Sequence, residues 1–313
     1  MNCPGADELN AFFESQLAEW EFARRNFEAL RRIETKTFDL DGFSIRVQFN
    51  PARIVSSAAK VDAASVVARK CFLCPENQPP EQRGLPWGDG YRVLVNPYPI
   101  FARHFTIPAA EHVPQSIADR YGDMLALARC FDREVVFYNG PRCGASAPDH
   151  VHFQAVGKGA MPLEAEIGRF ATEKVLEASG AAAYAIRDYL RGGFVIRSAD
   201  ASAAAACFGK LYEALEVLPA DAEPMMNVLT WYDSDGWTSC VFPRTKHRPA
   251  CFYGEGATDL LVSPASVDLA GVMIVPRKDD FVKITAENIR AIFNEVCIDD
   301  SALQRIVGKL NIG

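Results

Sequence analysis

No run of the roughly 18 uncharged apolar residues that a spanning helix needs occurs in this chain. Its blandest stretch, Ala201–Phe208, gives way at once to Gly209 and Lys210, so no membrane contact is expected. Positive charge is not in excess: Lys and Arg number 33 against 40 Asp and Glu, for a net charge of −7. Nucleic-acid binding, which usually needs a basic face, is therefore not expected either. The opening residues MNCPGADELN carry neither a basic n-region nor an apolar h-region; no signal peptide is read, and a cytoplasmic location is the expectation. The nine cysteines are scattered over 313 residues. That pattern suits reduced thiols and a metal site better than a disulfide framework. What the chain does have is an ordinary globular composition, 49% hydrophobic and 23% charged. Such a chain can bury a large core, and its length favours about two domains.

Phe13, Leu17, Trp20, Ala23, Phe27 and Leu30 recur at three- and four-residue spacing, which predicts one helix from about Asp7 to Thr35. A hairpin should follow, with Phe38 and Leu40 alternating before Asp41-Gly42 and Phe43, Ile45, Val47 and Phe49 after it. The segment Cys71–Trp87 is rich in proline and reads as an irregular loop. Strands are predicted at Arg92–Asn96, His104–Pro108, Glu134–Tyr138 and His150–Val156, with a helix at about Ile117–Asp132. Helices near Leu163–Ala178 and Ala201–Val217 precede strands at Met226–Tyr232 and Trp237–Phe242, which Asp233–Gly236 joins. Strands outnumber helices and few alternate with them, so the fold class is α+β with antiparallel sheets rather than a doubly wound sheet. Val262–Arg277 echoes Val95–Ala110: each opens on a small polar residue and proline and ends in a β-rich run closed by Ile-Pro or Val-Pro. The echo suggests two related halves.

Histidine is scarce, with five in the chain, and two of them stand at i and i+2 in His150-Val-His152-Phe-Gln154. On a strand His150, His152 and Gln154 share one face while Val151, Phe153 and Ala155 pack inward. Burying three polar side chains without partners is costly, so this face either lines a site or meets solvent. The preceding Gly144-Ala-Ser146 favours a site, because such loops present backbone N–H groups suited to phosphate. Cys71-x-x-Cys74 is a ligand pair or a plain loop; a zinc site needs four ligands, and His112 and His150 could complete a Cys₂His₂ set. The basic run Arg244-Thr-Lys246-His-Arg248 is a solvated loop or a phosphate clamp, and Arg277-Lys278 are weaker candidates for the same role.

The stretch from Asn96-Pro-Tyr-Pro through His104 to His112, followed by His150-Val-His152-Phe-Gln154, resembles the histidine-triad superfamily. The version ending in glutamine is similar to its transferase branch of uridylyltransferases and nucleotide phosphorylases. The resemblance implies a histidine-triad-like fold, with residues 1–160 as the catalytic half and 161–313 as a second, degenerate half. It implies that His152 is the nucleophile at the α-phosphorus of a nucleotide and that Gln154 hydrogen-bonds the phosphoryl oxygens. Gly144 and Ser146 would cradle the phosphates and Asn96 would sit near the ribose. Cys71, Cys74, His112 and His150 match the ligands of a structural zinc, and His104 would be structural or stand behind the site. Ser146-Ala-Pro-Asp149-His150 departs from the pattern by one extra residue, leaving Asp149 to orient a histidine or replace a phosphate contact.

The expected activity is nucleotidyl transfer or phosphorolysis of a nucleotide sugar through a nucleotidyl-His152 intermediate. Covalent catalysis of this kind divides one hard displacement into two easier ones. Arg244 and Lys246 would grip a phosphate of the leaving or entering group. The partners are then a nucleotide or nucleotide sugar and phosphate, and the chain a monomer or homodimer. A dinucleoside polyphosphate substrate, or a silent protein that binds nucleotide and zinc, are the competing readings. A thiol redox role for Cys71 and Cys74 lacks the βαβ setting it needs.

Overall fold

The computed structural model describes residues 3–59, 61–219, 221–254 and 259–311. The chain opens with α1 (Ala6–Glu19) and α2 (Glu21–Ala29), then a hairpin of β1 (Glu34–Leu40) and β2 (Phe43–Phe49), and short helices α3 (Ile54–Ser57) and α4 (Ala63–Ala68). β3 (Gly84–Trp87), β4 (Tyr91–Val95), β5 (His104–Pro108), α5 (Tyr121–Cys130), β6 (Glu134–Asn139) and β7 (His152–Gly157) follow. After α6 (Leu163–Phe170) come β8 (Glu173–Ala178), β9 (Ala181–Ile186), β10 (Gly193–Ser198), α7 (Ala201–Ala214), β11 (Met226–Asp233) and β12 (Gly236–Pro243). The last elements are α8 (Ser266–Leu269), β13 (Val272–Val275), α9 (Lys278–Lys283), α10 (Ala286–Val296) and α11 (Asp300–Leu310).

One ten-stranded sheet, in the order β3-β4-β5-β7-β6-β11-β12-β10-β9-β8, forms the frame. Its two ends mirror each other about the antiparallel β6–β11 pair. Reading inward from either edge gives first, second, third, fifth and fourth strand of a half, with α5 or α7 inserted between the third and fourth. The chain is therefore α+β and built from two similar halves. The echo that suggested this aligns the wrong strands, however. β5 belongs to the large sheet, whereas β13 pairs in parallel with β2 in a separate three-stranded sheet. The true counterpart of β5 is β10, whose glycine- and alanine-rich hairpin with β9 gives no sequence echo.

Alternation sorts the side chains between two layers. Val136, Tyr138, Phe153 and Ala155 face a core closed by α1, α2, α5, α7 and α11. Val135, Phe137 and Val156 face the opposite core, roofed by the three-stranded sheet, α6 and α10. On that second face the later half presents Val195, Leu229, Cys240 and Phe242, all fully buried. No histidine stands there.

Local structure departs from the periodicity in places. The long N-terminal helix breaks at Trp20, whose backbone is extended and whose side chain is only 4% exposed. Its end is replaced by β1, because Thr35, Thr37 and the turn Asp41-Gly42, both with positive φ, favour the hairpin. The helix over 163–178 stops at Phe170, and β8 turns into β9 through Ser179-Gly180, again both at positive φ. Cys3 and Cys130 form a disulfide that fastens the N-terminal segment to α5, contrary to the expectation of reduced thiols throughout. The other seven cysteines are free. Among the described residues no helix is long and apolar enough to cross a membrane.

Candidate active site and metal centre

β7 carries His152 and Gln154 on the face opposite Phe153 and Ala155, as alternation requires. His150 lies just before the strand, so the three polar side chains are not one strand face. His152 and Gln154 line a cavity of about 1090 Å³, together with Asn96, Thr106 and the Gly144–Ser146 turn. The His152 ring is 3% exposed. Its Nδ1 lies 2.8 Å from the His150 carbonyl oxygen, so Nδ1–H donates and Nε2 keeps its lone pair. Burial, opposed by that hydrogen bond, holds the imidazole down at about 4; the ring is neutral at pH 7. Gln115 fixes the backbone here, accepting from His152 N at 2.8 Å and donating to the Asn139 and His152 carbonyls.

Gln154 is oriented by His104. The Ile100 amide donates to His104 Nδ1 at 3.2 Å, so the proton sits on Nε2, which donates to Gln154 Oε1 at 2.9 Å. The carboxamide oxygen is thereby occupied and its NH₂ remains as the donor end. Burial and the nearby Arg53 charge push His104 down to about 3, which keeps this tautomer neutral. Asn96 donates to Thr106 Oγ1 at 2.9 Å and accepts from the Tyr98 amide at 2.9 Å. Gly144 sits at φ +94°, and a Cβ there would come within 2.4 Å of Ala265 Cβ. Only glycine allows this turn to approach α8 so closely.

The basic run is placed differently from expectation. Arg244 is buried, and its guanidinium is used up on Asn227 and on the Pro264, Val296, Lys246 and His247 carbonyls. Lys246 points outward to Glu295 at 3.3 Å. Neither lines the cavity; His247 and Arg248 do. Arg277 is likewise taken by Asp259 and Asp280, and Lys278 by Glu34. Sequence reasoning missed Arg53 and Arg69, which stand on the cavity wall. Asn50-Pro-Ala-Arg53 follows directly on β2, but nothing in that string says which way the arginine turns.

Cys71, Cys74, His112 and His150 converge, with all four ligand atoms within 4.8 Å of one another. Cys71 Sγ is 3.4 Å from His150 Nδ1, and Cys74 Sγ is 3.2 Å from His112 Nδ1. These separations fit the edges of a tetrahedron around an ion with bonds of roughly 2.0–2.3 Å. His150 donates from Nε2 to the Ala109 carbonyl at 2.9 Å, which leaves Nδ1 as the ligand atom. Asp149 pairs with Arg69 at 2.5 Å and lies 3.8 Å from His112 Nε2, beyond hydrogen-bond reach. The four residues could hold a metal ion. Because His150 also supplies the carbonyl that sets the His152 tautomer, the cluster and the cavity share one backbone segment.

Two family models match the chain. Residues 12–157 match a domain of unknown function (DUF4922), and residues 164–310 match a GDPGP1-like C-terminal domain. The fold is similar to that of yeast Ap4A phosphorylase Apa2 in complex with Ap4A, with a TM-score of 0.54, 16% identity, and coverage of 90% of this chain and 97% of that one. The same yeast enzyme in complex with AMP gives a TM-score of 0.52 at 16% identity, covering 90% of this chain and 98% of that one. The later half of the chain thus matches a GDPGP1-like domain by sequence, and the chain as a whole shares its fold with the yeast enzyme. A uridylyltransferase aligns more loosely, at a TM-score of 0.41 and 11% identity over 89% of this chain and 99% of that one. No curated protein matches the sequence.

Proposed function

We propose that this protein is a nucleotidyltransferase of the histidine-triad type, a phosphorylase acting on a nucleotide sugar through a nucleotidyl-His152 intermediate. The observation that carries this is the His152 ring, neutral and tautomerically fixed at the cavity wall beside the Gly144–Ser146 turn. In the first step Nε2 attacks the α-phosphorus, and the bond to the bridging oxygen breaks, releasing a sugar phosphate. In the second a phosphate oxygen attacks the same phosphorus, the P–N bond breaks, and its electron pair returns to Nε2, giving a nucleoside diphosphate. The Gln154 NH₂, Ser146 and the loop amides are donors already in place for the charge on the phosphoryl oxygens. Asn96 would lie toward the ribose.

Residues 1–160 act in this reading as the catalytic half and 161–313 as the degenerate one, which supports the large sheet but offers an apolar face. Zinc is the metal we assign to the Cys₂His₂ set. With four protein ligands it leaves no open position, so its part is structural. A cytoplasmic location belongs to this reading: seven thiols are free, against one disulfide. A dinucleoside polyphosphate is the second reading of the substrate, favoured by the likeness of fold to the Ap4A phosphorylase. Incubation with a panel of α-labelled nucleotide sugars and dinucleoside polyphosphates tests both. Acid-labile label is expected on the wild type and none on folded His152→Ala. Equal label on the two proteins would overturn the nucleophile, and the best labelled compound decides the substrate.

A further inference from the structure

A second cavity, of about 520 Å³, lies between the N-terminal helices and the β1–β2 hairpin and takes no part in the steps above. Its walls do not match. One is apolar, with Phe13 and Leu17 from α1 and Phe27 from α2. Phe13 and Phe27 meet edge to face at 5.2 Å, and Phe101 adds a third ring, a lining suited to a flat aromatic body. The other wall is the polar face of the hairpin. Thr35 stands opposite Gln48, and Thr37 opposite Arg46, so these four share one side while Ile45 and Val47 enter the core on the other. The two walls cannot close on each other without burying a cation against hydrocarbon.

Charge adds a preference. Arg24, Arg31 and Arg46 line the cavity against one carboxylate, Glu28. Arg24 is tied to the Leu17 and Ala18 carbonyls. Arg46 makes one long hydrogen bond, 3.4 Å to the Ala160 carbonyl, and neither it nor Arg31 has an ion pair among the described residues. The cavity also shares Ile100 with the catalytic one. Gln48 donates to the Ile100 carbonyl at 3.1 Å, the Ile100 amide donates to His104, and His104 holds Gln154. An occupant seated on Gln48 and Ile100 therefore bears on the Gln154 carboxamide through consecutive hydrogen bonds.

We infer that this second cavity is a regulatory site for an aromatic carboxylate, whose binding is felt at Gln154 through Ile100 and His104. The inference does not rest on the nucleotidyl-transfer reading, since neither binding nor coupling needs turnover. The probe is 1-naphthoate, titrated calorimetrically into the full chain, with uncharged 1-naphthalenemethanol as the control. Arg46→Gln should raise the Kd for naphthoate at least tenfold and leave that of the alcohol unchanged. Leu30→Glu, which sets a carboxylate on the half-buried edge of the apolar wall, should abolish naphthoate binding. In ring-labelled protein the His104 resonances, assigned by their loss in His104→Gln, should move as naphthoate saturates the wild type and stay in place in Leu30→Glu. His152 labelling should change at least threefold at saturation in the wild type alone. Alcohol binding as tight as that of the acid, a Kd rise below tenfold in Arg46→Gln, or His104 resonances unmoved at saturation overturns the proposal. If Leu30→Glu does not fold, Arg46→Gln decides by the same measurements. A wild type that takes no label would defeat the nucleotidyl-histidine reading alone, and the His104 resonances would still decide this one.

Discussion

Gly144→Ala examines the phosphate turn most directly. Two costs add. The residue sits at φ +94°, where an L side chain is strained by about 1–2 kcal/mol. Its new Cβ would lie 2.4 Å from Ala265 Cβ and 3.0 Å from Ala265 Cα. Neither atom is a flexible side-chain end that could swing aside, so overpacking adds about 1–3 kcal/mol. The expected loss of stability is therefore about 2–5 kcal/mol. Gly159→Ala is the control, since Gly159 has φ +78° but nothing within 4 Å of its Cβ position; it should show the strain alone, about 1–2 kcal/mol. The difference between the two urea midpoints isolates the contact with α8. Relieving that contact requires the turn to retreat by about 1 Å, and a misplacement of that size costs on the order of 100-fold in rate. Gly144→Ala should thus slow labelling of His152 by about that factor while Gly159→Ala leaves it unchanged. Gly144→Ala with a labelling rate within threefold of wild type and the stability of the control would refute the reasoning.

Other expectations follow from groups around the cavity. His104 is fully buried with its pKa depressed to about 3, so the unfolded chain takes up the proton first as pH falls below about 6.5. The stability it contributes is present above that value and is lost toward pH 3, by about 2 kcal/mol at pH 5; urea titrations should show a shallower decline over pH 6.5–4 for His104→Gln. Metal analysis should find one zinc per chain, and a chelator or Cys74→Ser should remove it. Loss of an ion present at 1,000 times its Kd costs about 4 kcal/mol, read as a lower melting temperature and faster proteolysis around residues 70–83. The disulfide closes a separation of 127 residues, for which the chain-entropy account gives about 5 kcal/mol as an upper value. Cys130→Ser should lower the urea midpoint by no more than this, and an unchanged midpoint would show that the bond does not form in solution.

How much could be read beforehand depended on whether the signal was local. The alternation in His150–Gln154 put His152 and Gln154 on one face because a strand's period is set by the backbone. Cys71-x-x-Cys74 and two histidines pointed to the four-residue cluster that could hold a metal, because ligand spacing limits what can converge. The hairpin at Asp41-Gly42 was legible for the same reason: its turn needs positive φ at two successive residues. What local signals do not carry is the direction of a charged side chain once the chain has folded over it. Arg244 looked like a phosphate clamp, yet its guanidinium is spent on Asn227, on the neighbouring Lys246 and His247 carbonyls and on those of the more distant Pro264 and Val296. Arg53, which looked like nothing, was left facing the cavity because β2 pairs with β13, more than 200 residues along the chain. The tautomers of His104 and His152, likewise, were set by the Ile100 amide and the His150 carbonyl. The candidate site residues were thus present in the sequence as types and spacings, while their protonation, burial and partners came only from which backbone groups the tertiary fold brought within hydrogen-bond reach.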